Sequence, residues 1–382
     1  MPVEFLGMGA HNDDIDTHAR TTEAYDPAYL VKLAQAHENN DWDHVLFAYG
    51  SGSPDPIVSA TYVAAHTDRI QLRVAHRPNA ALPTTVARQF LTLDHLSRGR
   101  VTVHYITGGS QAEQAREGDY LEKDERYART KEYIELVRRI WDDPEPFSHS
   151  SKYYSFDGFS SEIRPYAGKR PGISFGGSSP AAWQAGASTA DIYAIFGEPL
   201  AESREQQRNV LTAAREQGRE TPLRWQVAFR PIIAPTDDLA WERAHGILGK
   251  LEARATAGQL PGASHRQNNG AKAPENAGSQ RLLSAADRGD ILDRALWTVP
   301  AKSGWAAGSS TALVGSYETV ALALLDYVDL GFEIFGIRGY EDFLDDATEF
   351  GQNVIPLVRQ EVARREAAGW VSGPSLAALA LA

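Results

Sequence analysis

The chain has 382 residues, 42% hydrophobic and 23% charged, which is ample material for a large core in an ordinary folded protein. Its 38 Lys and Arg against 50 Asp and Glu leave a net charge of -12, arguing against DNA or RNA as a partner, and the absence of cysteine excludes disulfides, thiol nucleophiles and Cys-ligated zinc. No run of 18 apolar residues and no secretory leader stands out, and Leu376–Ala382 is too short to span a bilayer, so no membrane association and a cytoplasmic location are expected.

In chain order, Val3–Met8 reads as a first strand ending at His11, and Pro27–Asn39 as a helix. Asp43–Tyr49 is a second strand closing at Ser53, Asp55–His66 a helix, and Ile70–Ala75 a third strand. Thr84–Leu96 is helical, and Val101–Ile106 is a fourth strand ending at Thr107. A long helix runs from Asp124 to Trp141, followed by a loop with a small hairpin at Tyr153–Phe156. Ile173-Ser-Phe-Gly-Gly-Ser-Ser-Pro180 is a fifth strand turning into a helix, and Asp191–Phe196 is a sixth strand before a helix from Leu200 to Gln217. Leu223–Ile233 is a seventh strand with a helix from Leu239 to about Ala257, and Phe332–Ile337 an eighth with a last helix through Glu361. Eight apolar strands alternating with helices predict an α/β fold, a parallel (β/α)8 barrel filling residues 1–365, with 366–382 a C-terminal tail. Residues 258–310, rich in Gly, Ala, Ser, Asn and Gln, interrupt the rhythm before strand eight, as a mobile flap over an active site or as a linker.

In a barrel, functional residues sit at the C-terminal strand ends. The Gly-Ser loop after strand five is either a plain turn or an anion site. Its glycines allow close approach, Ser178 or Ser179 can cap the next helix, and the helix N-terminus favours negative charge. On strand seven, Trp225, Val227 and Phe229 alternate with Gln226, Ala228 and Arg230. The apolar set should face the helices, which points Arg230 into the interior. Buried there, its charge needs an acid such as Glu198 or an anionic ligand. His11 ends strand one on the rim, as a loop residue or a ligand contact. His104 faces inward from strand four, as a ligand contact or a hydrogen-bonded core histidine. Tyr127 and Tyr340 are phenols near strand ends. No metal-ligand spacing or Ser-His-Asp pattern appears.

The motifs Val74-Ala-His-Arg-Pro78, Ala87-Arg-Gln89, Thr92-Leu-Asp-His-Leu-Ser97, Thr107-Gly-Gly109, Asp124-Glu-Arg-Tyr127, Phe175-Gly-Gly-Ser-Ser179, Gly197-Glu-Pro199, Thr311-Ala-Leu-Val-Gly315 and Gly339-Tyr340 run in order over most of the chain. Together they resemble the bacterial-luciferase-like flavin monooxygenases, specifically the alkanesulfonate branch. The resemblance implies a (β/α)8 barrel, FMN used as reduced FMNH2, molecular oxygen as co-substrate, and a separate NAD(P)H-dependent flavin reductase as partner. It further implies cleavage of the C–S bond of a small anionic sulfonate to sulfite and an aldehyde, and a homodimer or homotetramer. By position it implicates Gly177, Ser178, Ser179 and Tyr127 in holding the flavin phosphate, with Ser53, His104 and Thr107 near the ring. Arg230, His11 and Tyr340 take the catalytic positions, and Glu198, Trp305 and Arg338 join Arg230 and His11 around the substrate.

The departures bear on specificity. Where the alkanesulfonate enzymes carry Arg-x-His on strand seven, this chain has Ala228-Phe-Arg230. The flap arginine falls at Ala306, and a cysteine after strand two falls at Ser53. His11 and Tyr340 are kept. A remodelled pocket suggests a sulfonate other than a linear one, with a sugar sulfonate such as sulfoquinovose as a candidate. Alternatives on the same barrel are a luciferase-like monooxygenase acting on a sulfone, an aminopolycarboxylate or a long-chain alkane, a non-catalytic flavin-binding protein, and an F420-type oxidoreductase.

Overall fold

A computed structural model describes residues 3–258, 276–302 and 311–370. The chain begins with β1 (Glu4–Gly9), α1 (Pro27–Asn39), β2 (His44–Phe47), α2 (Pro56–Ala64), β3 (Gln71–His76), α3 (Pro83–Ser97) and β4 (Val101–Tyr105). It continues through α4 (Gln111–Ala115) and α5 (Lys123–Asp142) to an antiparallel hairpin, β5 (Phe147–Ser150) and β6 (Ser155–Phe159). Then follow β7 (Gly172–Gly176), α6 (Pro180–Thr189), β8 (Ile192–Phe196), α7 (Leu200–Glu216), β9 (Arg224–Phe229), β10 (Ile232–Ala234) and α8 (Asp237–Thr256). The last elements are α9 (Ala277–Ala286), β11 (Ile291–Leu292), β12 (Leu296–Trp297), β13 (Ala312–Ser316), α10 (Tyr317–Asp329), β14 (Ile334–Ile337), α11 (Phe343–Asn353) and α12 (Ile355–Ala367).

Eight parallel strands close into a barrel in the order β1-β14-β9-β8-β7-β4-β3-β2, and they are the eight strands read from the sequence. Alternation divides each strand between two environments. Outward residues such as Val45, Val74, Phe175, Tyr193 and Val227 pack under the helices in one large core. Inward residues form a small apolar layer of Leu6, Leu46, Ile192 and Ile334, with polar groups above and below it. Most barrel helices begin with a cap or a proline that the sequence displays: Asp26 before Pro27, Asp55 before Pro56, Ser179 before Pro180.

The structure corrects several sequence expectations. Strand seven stops at Phe229, because Pro231 has no N–H to continue the ladder; Ile232–Ala234 pairs instead with β13 in a small four-stranded sheet beside the barrel. The hairpin lies on either side of Tyr153, with Ser151 and Tyr154 bonded across its turn at 3.0 Å. The last helix is two helices, α12 beginning with Pro356 in its first turn. The described part of 258–310 carries α9, β11 and β12, and the sequence reading gave no element to Ala312–Asp329, which forms β13 and α10. Trp305, the position Ala306 and residues 371–382 lie outside the described residues.

Helix α6 lies against the sheet through Gly186, where an added Cβ would strike the rings of Phe175 and Tyr193. Overpacking of a filled core costs about 1–3 kcal/mol. Gly186→Ala should therefore lower unfolding free energy by about that amount in urea titration, and an unchanged midpoint would show that the helix shifts freely.

Candidate active site

At the C-terminal mouth of the barrel, the inward positions are small: Ala75, Gly176, Ala194, Ala228 and Gly336. Light side chains leave an open bowl, and the side chains of Met8, Leu46 and His104 within it remain partly accessible. Thr107 lies on its wall, 6% exposed, with a hydroxyl that has no hydrogen-bond partner. A buried orphan hydroxyl signals a missing ligand or water. His104 Nδ1 bonds Ser174 Oγ at 2.9 Å, and burial, with Arg73 adding repulsion, holds the imidazole down at about 3. His104 is a neutral donor or acceptor at working pH.

On one wall, β7 delivers Gly176 and Gly177 to the start of α6. A Cβ at Gly177 would lie 2.5 Å from Ala182 Cβ and 3.2 Å from Tyr127 Oη, so only glycine fits without displacement. Tyr193 Oη donates to Gly177 O at 2.8 Å and fixes that peptide. Ser179 accepts from Ala182 N at 3.3 Å as the helix cap, and Ser178 beside it is half-buried. Tyr127, 9% exposed, reaches over from α5 and hydrogen-bonds Ser179; burial raises its pKa, so it stays a donor. The hydroxyl residues Tyr127, Ser178 and Ser179, a tight glycine and a helix N-terminus thus converge as in an anion cradle.

The opposite wall is cationic. Arg230 follows β9 and Arg338 follows β14, both pointing inward as the alternation predicts. Arg230 Nη2 donates to Asp16 and, at 2.8 Å, to Gly339 O, while Arg338 Nη2 lies 3.3 Å from the same Asp16 oxygen. The guanidinium of Arg230 stacks 3.7 Å from the ring centre of Tyr340. Burial opposes the charge on both arginines; Asp16 overcomes it for Arg230, and Arg338 stays below its ordinary value. Burial also pushes Tyr340 up to about 12. Two arginines share one aspartate, and the Nε of each is buried without a partner. The acid that holds Arg230 is Asp16, not Glu198. It is presented by the β1–α1 loop, which is pinned by Thr17 Oγ1 donating to Tyr340 O at 2.7 Å and by buried Ile15. His11, half-buried on that loop, stacks on Tyr25 with ring centres 6.1 Å apart, and burial lowers its pKa.

Two rim candidates have other surroundings. Ser53 is exposed, its N–H closing a turn to Gly50 O at 3.0 Å. Glu198 is fully buried and spends its carboxylate on Arg281 of α9, 2.9 Å from both oxygens, and on Gln206 at 2.8 Å. It fastens α9 to the barrel. Asp16 and the interior Arg73 escaped the sequence reading. The acidic run after His11, and a charge at an inward position of β3, were the available signals.

A cleft of about 1050 Å3 opens at the other end of the barrel, lined by Glu4, His44, Arg170, Asp191, Arg224 and Arg359 among others. Its principal cations are already paired: Arg224 with Glu4 at 2.9 Å, Arg170 with Asp191 at 2.8 Å and Arg359 with Asp43 at 2.6 Å. That face closes the barrel, and the mouth at the C-terminal strand ends holds the unpartnered atoms of Thr107, Arg230 and Arg338. Among the described residues, no group of three His, Asp or Glu is placed to hold a metal, and no helix is long and apolar enough to cross a membrane.

A family model described as luciferase-like monooxygenase matches residues 9–333. The chain belongs to the luciferase-like monooxygenase family. It is thereby an enzyme of the flavin-dependent monooxygenase class, and its barrel is shared by solved structures. A riboflavin lyase with modified FMN and substrate riboflavin is 20% identical, with a TM-score of 0.75 over 98% of this chain and 95% of that one. An EDTA monooxygenase from Chelativorans sp. BNC1 is 17% identical, with a TM-score of 0.74 over 98% and 100%. The oxygenating constituent of 3,6-diketocamphane monooxygenase from Pseudomonas putida, in complex with FMN, is 19% identical, with a TM-score of 0.69 over 96% and 99%. At these identities the likeness is one of fold.

In this luciferase-like barrel, burial raises Glu198 to about 7 against the pull of Arg281. A carboxyl raised from its ordinary 4.5 binds its proton more tightly folded than unfolded, so the stability it contributes is full below pH 4.5 and lost as pH climbs through 7. Glu198→Gln should flatten the stability–pH curve in that window by on the order of 1–3 kcal/mol. Denaturant titrations at pH 5 and pH 8 that give the same difference for both proteins would show that Glu198 does not titrate there.

Proposed function

We propose that this protein is an FMNH2- and O2-dependent monooxygenase that cleaves the C–S bond of an anionic organosulfonate, releasing sulfite and an aldehyde. The observation that carries the substrate class is the pair of arginines at the mouth that meet on Asp16, each with a buried Nε left without a partner among the described residues. A sulfonate presents three acceptor oxygens to such donors. Arg230 and Arg338 are the proposed sulfonate contacts, with His11 beside them; Tyr340, held as a neutral phenol under Arg230, is the proposed proton donor. Glu198 and Trp305 keep their place as candidate substrate contacts only through the resemblance.

The wall across the bowl fits an FMN phosphate. Ser178, Ser179 and Tyr127 would donate to it, Gly177 leaves it room, and the α6 N-terminus favours its charge. Thr107 and His104 would border the ring, with Ser53 at the rim. Bound reduced FMN supplies the oxygen-activating chemistry, and the chain positions it, holds the anion and excludes water. A separate NAD(P)H-dependent flavin reductase would furnish FMNH2. Association into a homodimer or homotetramer and a cytoplasmic location belong to the same reading. A sugar sulfonate such as sulfoquinovose is the candidate over a linear alkanesulfonate, because Ala228-Phe-Arg230 and Ala306 replace the strand-seven and flap residues of the alkanesulfonate branch.

A second reading has support from the same arginines, because a carboxylate fits two guanidiniums as well as a sulfonate does. An aminopolycarboxylate is that alternative.

Truncating the cradle tests the cofactor. Ser179→Ala and Tyr127→Phe should each weaken FMN binding roughly tenfold, since a hydrogen bond to a charged group is worth about 1.5–3 kcal/mol. They should weaken riboflavin binding little, as fluorescence quenching will show. Equal losses for FMN and riboflavin would remove the phosphate from this loop.

The substrate class is tested with a flavin reductase, FMN, NADH and panels of sulfonates and aminopolycarboxylates, reading sulfite and oxidised product. Sulfite from at least one sulfonate is expected, and Arg230→Ala should raise its KM at least tenfold, removal of a buried charged partner costing about 2–5 kcal/mol. Turnover of polycarboxylates without sulfite from any sulfonate would select the second reading.

A further inference from the structure

Arg73 is a charge with no evident task. It points inward from β3, is completely buried, and donates through Nη1 to Gln226 of β9, on the far side of the barrel. Its Nε and Nη2 have no partner, and it forms no ion pair among the described residues. Glu4, the acid whose field reaches it, is already held by His44 at 2.8 Å and Arg224 at 2.9 Å. The other charged or titratable groups that share its interior are His44 on β2, His104 on β4 and Arg224 on β9, and none is an acid. An uncompensated cation in such a place is costly, and a core built for stability alone would carry an apolar side chain of similar volume.

The position of that charge is informative. The Arg73–Gln226 strap crosses the barrel directly beneath the small residues of the bowl. Ala75 lies two residues further along β3 and Ala228 two further along β9, with Ala194 beside Gln226 in register. His104 and Ser174 complete the same floor. A flat group seated in the bowl would rest over a fixed positive charge that is itself completely buried, where a field acts at low dielectric.

We propose that Arg73 is an electrostatic positioning residue, the buried counter-cation that stabilises negative charge on a reduced flavin ring seated in the bowl. The proposal rests on the flavin reading above. It gives the unpaired guanidinium a partner that is present only in the loaded, reduced enzyme. It also assigns Gln226 the role of holding the guanidinium across the barrel. Burial keeps the His104 imidazole neutral at the ring's edge, and the charge of Arg73 adds to this by repelling a proton.

The test uses the full-length protein with Arg73→Met, Arg73→Gln and Arg73→Lys. In the FMN complex, reduced anaerobically, the absorbance change on deprotonation of the ring is followed against pH. Arg73→Met and Arg73→Gln should raise the apparent pKa of the bound reduced flavin by one unit or more, a tenfold loss of preference for the anion, while Arg73→Lys restores most of it. Oxidised FMN should bind all variants within about threefold. In the FMN-free protein, the His104 imidazole resonance should titrate at higher pH in Arg73→Met than in the wild type. Arg73→Met should also unfold at the same or a higher denaturant concentration, where a purely structural arginine would leave it less stable. FMN binding retained with neither the flavin nor the His104 titration displaced would overturn the assignment. Failure of the wild type to bind FMN at all would instead overturn the flavin reading, and the His104 titration would still report whether the Arg73 field reaches the bowl.

Discussion

Closing eight parallel strands on themselves commits half of each strand's side chains to a single shared interior. Everything in this molecule that bears on chemistry follows from how that interior is filled. Below, Glu4 closes it with an ion pair to Arg224 and a hydrogen bond with His44; in the middle, Leu6, Leu46, Ile192 and Ile334 seal it; above, alanine and glycine leave it open. The helices outside then need only bury the other half, which they do with a continuous apolar core. Because the strands are parallel, their C-terminal ends all emerge on one side, and residues distant in sequence meet there. Asp16 and Arg230 are 214 positions apart.

The two sides of the mouth are electrically different surfaces of one bowl. The Gly-Ser-Ser wall offers hydroxyls and a helix N-terminus and carries no formal charge of its own. The arginine wall carries the formal charges of Arg230 and Arg338, which meet on Asp16 and feel the fields of Asp346 and Asp14. An anion suits both, but for different reasons: geometry and dipole on one side, guanidinium charge on the other. Between them lies Arg73, an interior arginine that forms no ion pair among the described residues. These features together make the mouth a place where negative charge is favoured at three separate points, in a protein that is acidic overall.

Much of this was legible in the chain itself. The strands announced themselves because each is a short apolar run punctuated by Gly, Pro, Asp or Ser. The Gly-Ser loop could be placed because its glycines, cap and proline stand in the order that a strand–turn–helix requires. Arg230 was found by alternation, and Arg73 obeys the same rule on β3. What the sequence hid was pairing. Nothing near Asp16 marks it as the partner of arginines more than 200 residues away, and Glu198, next in line at a strand end, looked like the better acid. Only the fold shows that Glu198 faces α9. The helix α9 was itself obscured by the Ala, Gly and Ser content of its surroundings. Its register shows once Leu282, Ala285 and Ala286 are seen buried on one face.

The alanines at the mouth separate two kinds of selection. Ala194 and Ala228 are half-buried at inward positions, so a larger side chain at either would extend toward the bowl. Neither belongs to the buried apolar core, and what enters the bowl meets them. A barrel arranged in this way can drift from one substrate to another by changes at its mouth while the burden of stability rests elsewhere, on Phe175, Tyr193 and their outward-facing companions. Evolvability here is a property of side-chain direction: the residues that choose a substrate and the residues that hold the chain together stand on opposite faces of the same strands.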